Sequence, residues 1–215
     1  MPDKHEQCDN PTCQEAAAVR VHLIHGIHSN GVGLTGQLAP YFRDAGFDVF
    51  VRRYGFAFAS PAILPGFVDW QNQRRAARLA PQIADGDAIV CHSNGAAVAY
   101  YIQAEHRTLS ALILINPALD RDTDFHNVGR VLCLHNAGDD VVGLSSILPL
   151  NHWGAMGRDG YSGSLANVVN VDCANPPDGL PKLWGHSALW EPKDNERAWG
   201  PRLAREMLIM TNNKR

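Results

Sequence analysis

The chain has 215 residues, of which 45% are hydrophobic and 19% charged, a length suited to one domain and a composition too apolar for a disordered polypeptide. Its 19 Lys and Arg against 22 Asp and Glu leave a net charge of −3, which gives no electrostatic attraction to nucleic acid or anionic lipid. The longest apolar run, Ala111 to Ile115, is far too short to span a bilayer, and the five cysteines (Cys8, Cys13, Cys91, Cys133 and Cys173) lack the spacing of a disulfide framework or a zinc site.

Residues 1–18 are polar, carry Asp3, Glu6, Asp9 and Glu15, and show neither periodicity nor an apolar signal core. They predict a flexible leader on a cytoplasmic protein, followed by one domain over 19–215. Six short apolar runs follow: Val19 to His25, Asp48 to Arg53, Asp87 to His92, Ala111 to Ile115, Arg130 to His135 and Val168 to Asp172. Near-continuous hydrophobicity, without clean alternation, predicts strands covered on both faces, as in a parallel sheet.

Helices are predicted between them, over Leu34 to Ala45, Trp70 to Ala84 and Asn94 to His106, with a last one starting at Pro201 and running to Met210. In the second, Ala76, Ala77, Leu79, Ala80 and Ile83 are expected to face the core opposite Arg74, Arg75 and Arg78, and Pro81 to kink or end the helix. Alternation of strand and helix implies right-handed crossovers and an α/β fold: a mainly parallel, doubly wound sheet of about six strands with helices on both faces. The glycine-spaced segment Asn151 to Ser164 reads as a surface loop or as a wall of a substrate site.

The chemistry concentrates at Ala88 to Val98, where an apolar run, a turn of Ser93, Asn94 and Gly95, and a helix-compatible run succeed one another. A tight strand-turn-helix of this kind holds a serine in a strained conformation, with its hydroxyl clear of the sheet. Taken alone, Ser93 also suits a helix N-cap. Cys91-His92-Ser93-Asn94-Gly95 resembles the nucleophile elbow of the α/β-hydrolase family, with Cys91 standing where glycine is usual.

The resemblance extends to other segments in the family's order. Val21 to Ile27 is similar to the strand and His-Gly turn of the oxyanion loop, which implies the backbone N–H groups of Ile27 and Asn94 as oxyanion donors. Val131 to Gly143 resembles the acid loop and implies Asp139 as the acid, with Asp140 as the alternative; Trp184 to Ser187 resembles the histidine loop and implies His186 as the base, with His152 and His126 as fallbacks. A serine hydroxyl needs such a base, and the base a carboxylate to fix its tautomer. The short span from Asn116 to Gly129 leaves no room for a large lid.

The family likeness implies a serine hydrolase that cleaves carboxylic esters of small-molecule substrates, with no cofactor, no metal, no nucleic-acid partner and no membrane span. Phe56, Phe58, Ile63, Leu64, Phe67 and Trp70 line an acyl pocket or pack as core. Two alternatives stay open: a noncatalytic binding protein on the same fold, and an NADP-binding oxidoreductase. The latter draws on Gly31-Val32-Gly33-Leu34-Thr35-Gly36 with Arg52 and Arg53, but those glycines begin too far from the strand end. His22, His25 and His28 alternate too irregularly along a strand to converge on a metal, and Cys91 in an apolar strand predicts a packed thiol.

Overall fold

The computed structural model describes residues 19–26, 34–54, 67–142, 154–177 and 179–212. The expected leader, residues 1–18, lies outside them. Strand β1 (Arg20–Ile24) leads through a 3-10 turn at Thr35–Leu38 into α1 (Ala39–Asp44) and β2 (Asp48–Arg52). Helix α2 (Phe67–Leu79) precedes β3 (Ala88–His92), α3 (Asn94–Glu105) and β4 (Leu109–Ile115). Strand β5 (Val128–His135), the short α4 (Met156–Asp159), β6 (Val168–Asp172) and the long α5 (Lys193–Asn212) complete the chain.

The six strands form one sheet in the order β2-β1-β3-β4-β5-β6, every neighbouring pair parallel. Parallel pairing brings every carboxyl end to the same edge. The registers Ile24↔Cys91, His92↔Ile115 and Ile115↔Leu134 align the ends of β1, β3, β4 and β5 there. The order reverses direction between β1 and β3, and at such a switch point the loops diverge to opposite faces and leave a crevice.

Alternate residues of the central strands feed two cores. Val21, Leu23, Val90, Ile113 and Leu134 face Phe42 of α1 and Trp199, Leu203 and Met207 of α5. Ile24, Ile89, Cys91, Leu112 and Cys133 face Ala76 and Leu79 of α2 and Val98 and Ile102 of α3. A fully buried Leu, Ile or Val contributes about 1.5–3 kcal/mol, so these two layers hold the fold without a disulfide. Cys91, Cys133 and Cys173 are all free and buried.

Two helices depart from the sequence expectation. The last one begins eight residues earlier than predicted, at Lys193, and Pro201 lies inside it. The polar stretch Lys193 to Arg197 hid its first turn, and the missing proline N–H leaves an interior carbonyl without its helical partner. In α2 the buried positions include Asn72, Arg75, Ala76 and Leu79, while Ala77 is exposed. The expected Ala76, Leu79, Ala80 and Ile83 are buried, and the departures are Ala77 and Arg75, which turns inward over the ring of Tyr54, 5.2 Å from its centroid. Pro81 ends the α-helix as expected, the chain tightening into a 3-10 turn at Ala80–Gln82.

The connection from β4 to β5 carries no helix and no insertion. Of the glycine-spaced segment, residues 154–164 are described, and they brace the sheet edge. The Gly157 carbonyl accepts the Asn136 N–H at 3.1 Å, and a Cβ on Gly157 would lie 2.8 Å from the Asn116 carbonyl carbon. Among the described residues no helix is long and apolar enough to cross a membrane.

Candidate active site

Ser93 occupies the turn between β3 and α3 with φ 54° and ψ −128°, a conformation that L residues rarely adopt. What holds it there is close packing. The Ser93 N–H donates to the Ile115 carbonyl at 3.1 Å, and its own carbonyl accepts the N–H groups of Ala96 and Ala118. A Cβ on Gly95 would lie 2.5 Å from the His25 carbonyl oxygen, so only glycine lets the start of α3 approach the end of β1 this closely. The departure at Cys91 is absorbed: its thiol points into the core and donates to the Ile113 carbonyl at 3.6 Å, leaving the turn intact.

Asp139 and His186 are brought together. The imidazole Nδ1 lies 2.9 Å from Asp139 Oδ2 and 3.0 Å from Oδ1. Since a carboxylate only accepts, Nδ1 carries the proton and Nε2 is the free base position. Asp139 is 0% exposed, and its oxygens also accept the Val142 N–H at 3.1 Å and the Asn116 side-chain amide at 3.0 Å. Buried carboxylates need such donors. Asp140 is exposed, and of the two carboxylates it is Asp139 that meets the imidazole.

The histidine loop is clasped from three sides. Asn136 accepts the Gly185 N–H at 2.9 Å and returns a bond to the Gly185 carbonyl. His92 Nε2 donates to the His186 carbonyl at 3.0 Å, and the His92 ring lies 4.7 Å from that of His186 and edge-on to Trp190. His92 adjoins Ser93 in the chain, so serine and imidazole share one rim of the sheet. Among the described residues no hydrogen bond joins the Ser93 hydroxyl to His186.

Of the other predicted site residues, Asn94 opens α3, where its backbone N–H belongs to the first turn and has no intrahelical acceptor. Ile27 and His152 lie outside the described residues, as does the apolar segment 55–66. Trp70 is exposed beneath the guanidinium of Arg74. His126 is an exposed residue paired with Asp124, remote in role from the acid loop. His22 is buried between Asp87 and Arg52, and Arg52 also bonds Gln82 twice, which commits its guanidinium, whereas Arg53 is exposed.

Sequence reasoning missed Asn116, Asn136, His92 and Trp190. Asn116 had one legible cue: an asparagine at a strand's carboxyl end readily takes positive φ, here 45°. Nothing local ties His92 to Trp190. A cavity of about 280 Å³ lies between α2, α3 and the loop after β4, lined by Asn72, Ala97, Tyr100, Tyr101 and Leu119, and it adjoins the elbow through Ala118.

No family model and no curated protein matches the chain. Solved structures do. A Xanthomonas campestris pv. campestris protein described as a hydrolase of the alpha/beta superfamily superposes with a TM-score of 0.50 at 16% identity, covering 87% of this chain and 99% of its own. A pyrethroid hydrolase from Sphingobium faniae JZ-2 gives 0.52 at 12% identity, covering 92% and 98%. Aspergillus fumigatus lipase B gives 0.54 at 12% identity, covering 81% of this chain and 50% of the lipase. Likeness at such identities speaks for architecture, and together with the parallel strand order and the strained turn at Ser93 it establishes that this chain has the α/β-hydrolase fold.

Proposed function

We propose that the protein is a serine hydrolase that cleaves carboxylic esters through an acyl-enzyme intermediate. The observation that carries this reading is the Nδ1–H of His186 shared between both oxygens of buried Asp139, on the rim that also bears the strained turn of Ser93. In this reading His186 Nε2 accepts the Ser93 proton as Oγ attacks the ester carbonyl carbon. The N–H groups of Asn94 and Ile27 receive the negative charge on the carbonyl oxygen, and Asp139 stabilises the imidazolium.

Collapse of the tetrahedral intermediate expels the alcohol, which takes the proton from His186. Water, deprotonated by the same imidazole, then releases the acid and restores Ser93. All of these steps use side chains and backbone of the chain itself. Two of the fold neighbours, a pyrethroid hydrolase and a lipase, are in keeping with an apolar ester as substrate.

A fluorophosphonate probe tests the proposal. Labelling of the native chain that disappears in Ser93→Ala and falls steeply in His186→Ala is expected. A native protein that takes no label and turns over none of a panel of esters and thioesters of increasing acyl length would instead be a binding protein on a hydrolase fold.

A further inference from the structure

Helix α2 carries a buried arginine that has no carboxylate partner among the described residues. Arg75 of α2 is 7% exposed, yet among the described residues it forms no ion pair. Its Nη1 donates to Asn72 Oδ1 at 2.9 Å, its Nη2 to Gln71 Oε1 at 2.7 Å, and its guanidinium lies over the Tyr54 ring. A buried charge is costly, and removal of its counter-ion costs more still.

The hydrogen bonds lead from Arg75 to the elbow. Asn72 and Asn94, 1% and 0% exposed, form a reciprocal amide pair: Asn72 Nδ2 donates to Asn94 Oδ1 at 3.0 Å, and Asn94 Nδ2 donates to Asn72 Oδ1 at 2.9 Å. Because Arg75 can only donate, it fixes which end of the Asn72 amide is oxygen, and through the pair which way Asn94 faces. The other side of the arginine reaches β1. The Tyr54 hydroxyl donates to the His25 carbonyl at 2.6 Å, and its ring stacks on the His25 imidazole at 4.2 Å. Burial pushes the Tyr54 hydroxyl up to about 12, so it remains a donor. One guanidinium is thus linked to both polypeptide arms, through Asn72 to Asn94 and through Tyr54 to the end of β1 at His25.

We propose that Arg75 is a positioning residue for ester hydrolysis: acting through the Asn72–Asn94 amide pair and through Tyr54, it orients the two oxyanion arms and sets a fixed positive charge behind them. The inference rests on the hydrolase reading above. Preorganised charge of this kind acts on the transition state more than on bound substrate, so its loss lowers kcat and leaves KM nearly unchanged.

The test uses the full chain, a p-nitrophenyl ester, and an alkyl boronic acid whose serine adduct is an anionic tetrahedral mimic. Arg75→Met keeps the bulk and removes charge and donors. It is expected to lower kcat about 10- to 100-fold, less than the 10²–10³ lost with an oxyanion donor itself, and to weaken the boronate in proportion, with KM changed less than about threefold. Arg75→Lys, which retains the charge, should recover a substantial part of both. If Arg75→Met does not fold, Asn72→Asp serves: its carboxylate neutralises Arg75 and withdraws the donor from Asn94, and the same paired loss is expected.

A folded Arg75→Met or Asn72→Asp with wild-type kcat and boronate affinity overturns the inference while leaving the hydrolase intact. A kcat loss that the lysine variant does not relieve, at unchanged melting temperature, also overturns it. A wild-type chain that neither takes a fluorophosphonate nor hydrolyses the ester sinks the hydrolase reading, and the inference with it.

Discussion

Asp139 and His186, 47 residues apart in the chain, meet through one imidazole N–H set almost equidistant from both carboxylate oxygens, at 2.9 and 3.0 Å. The arrangement requires a group that accepts at both oxygens, because the Val142 N–H and the Asn116 amide donate to the same carboxylate. A carboxamide here would turn an NH₂ toward one of three donors and free the imidazole to take the wrong tautomer. Asp139→Asn is therefore expected to lower kcat about 10³- to 10⁴-fold, and to lower stability by about 1–3 kcal/mol for the unmet buried group. Exposed Asp140→Asn should alter kcat less than about twofold; equal losses in the two variants, measured by steady-state ester hydrolysis, would remove Asp139 from the acid role.

His92 links that loop to acid stability. Its Nε2 donates to the His186 carbonyl, its Nδ1 is buried without a hydrogen-bond partner among the described residues, and burial first, then the neighbouring His186, push its pKa down to about 3. The unfolded chain takes up this proton near pH 6.5, the native one only near pH 3. Between those values the unfolded state holds the extra proton, so native stability falls as pH drops, by up to about 1.4 kcal/mol per pH unit for this one site. Buried His22 and His25, also lowered by burial, act in the same direction. Urea unfolding at pH 7.5 and 4.5 should show His92→Gln to be the less acid-sensitive protein by close to one proton. Equal slopes in the two proteins would mean that His92 is charged in the native state.

Much of this architecture was legible because its signals are local. Each strand is a short apolar run, and the parallel sheet demands such runs because both faces are covered; β4 and β3 are buried along their whole length. The elbow is legible for the same reason, as strand, turn and helix are contiguous. Arg75 was assigned to the solvent face because its charge says so, whereas the ring of Tyr54 and the amide of Asn72, from different parts of the chain, draw it inward. The clasp of His92, Trp190 and His186 has no sequence cue, since its members converge only when β3 and the last loop reach the same sheet edge. The pairing of this loop with His186 was expected from the order of the segments, but the sequence could not show that Asp139 is buried against the imidazole while Asp140 is exposed.

The cysteines separate a serine nucleophile from a thiol one. Burial raises all three described thiols, Cys133 to about 12 and Cys91 and Cys173 further still, and Cys91, two residues before Ser93, is 0% exposed. Thiolate is the reactive form, so these groups are inert in the folded protein. Iodoacetamide should leave Cys91, Cys133 and Cys173 unmodified at pH 8 and modify all three in denaturant, as read by peptide mass spectrometry. Rapid native alkylation of Cys91 with parallel loss of ester hydrolysis would reassign the nucleophile.

Gly95 offers the sharpest steric test of the elbow. Its missing side chain admits the His25 and Ile24 carbonyl oxygens, which would lie 2.5 and 2.9 Å from a Cβ, and both belong to backbone that cannot swing aside as a side-chain end would. Relief of the clash in Gly95→Ala moves α3 outward, and with it the Asn94 N–H and the strained Ser93 at its head. Overpacking of this kind costs about 1–3 kcal/mol, less than the stability of an ordinary domain, so the variant should fold with a lowered melting temperature. Fluorophosphonate labelling of Ser93 should slow at least about 10-fold, because a displaced oxyanion donor forfeits much of its 10²–10³ contribution. Labelling at the native rate in a destabilised Gly95→Ala protein would show that the close approach of α3 to β1 serves packing alone.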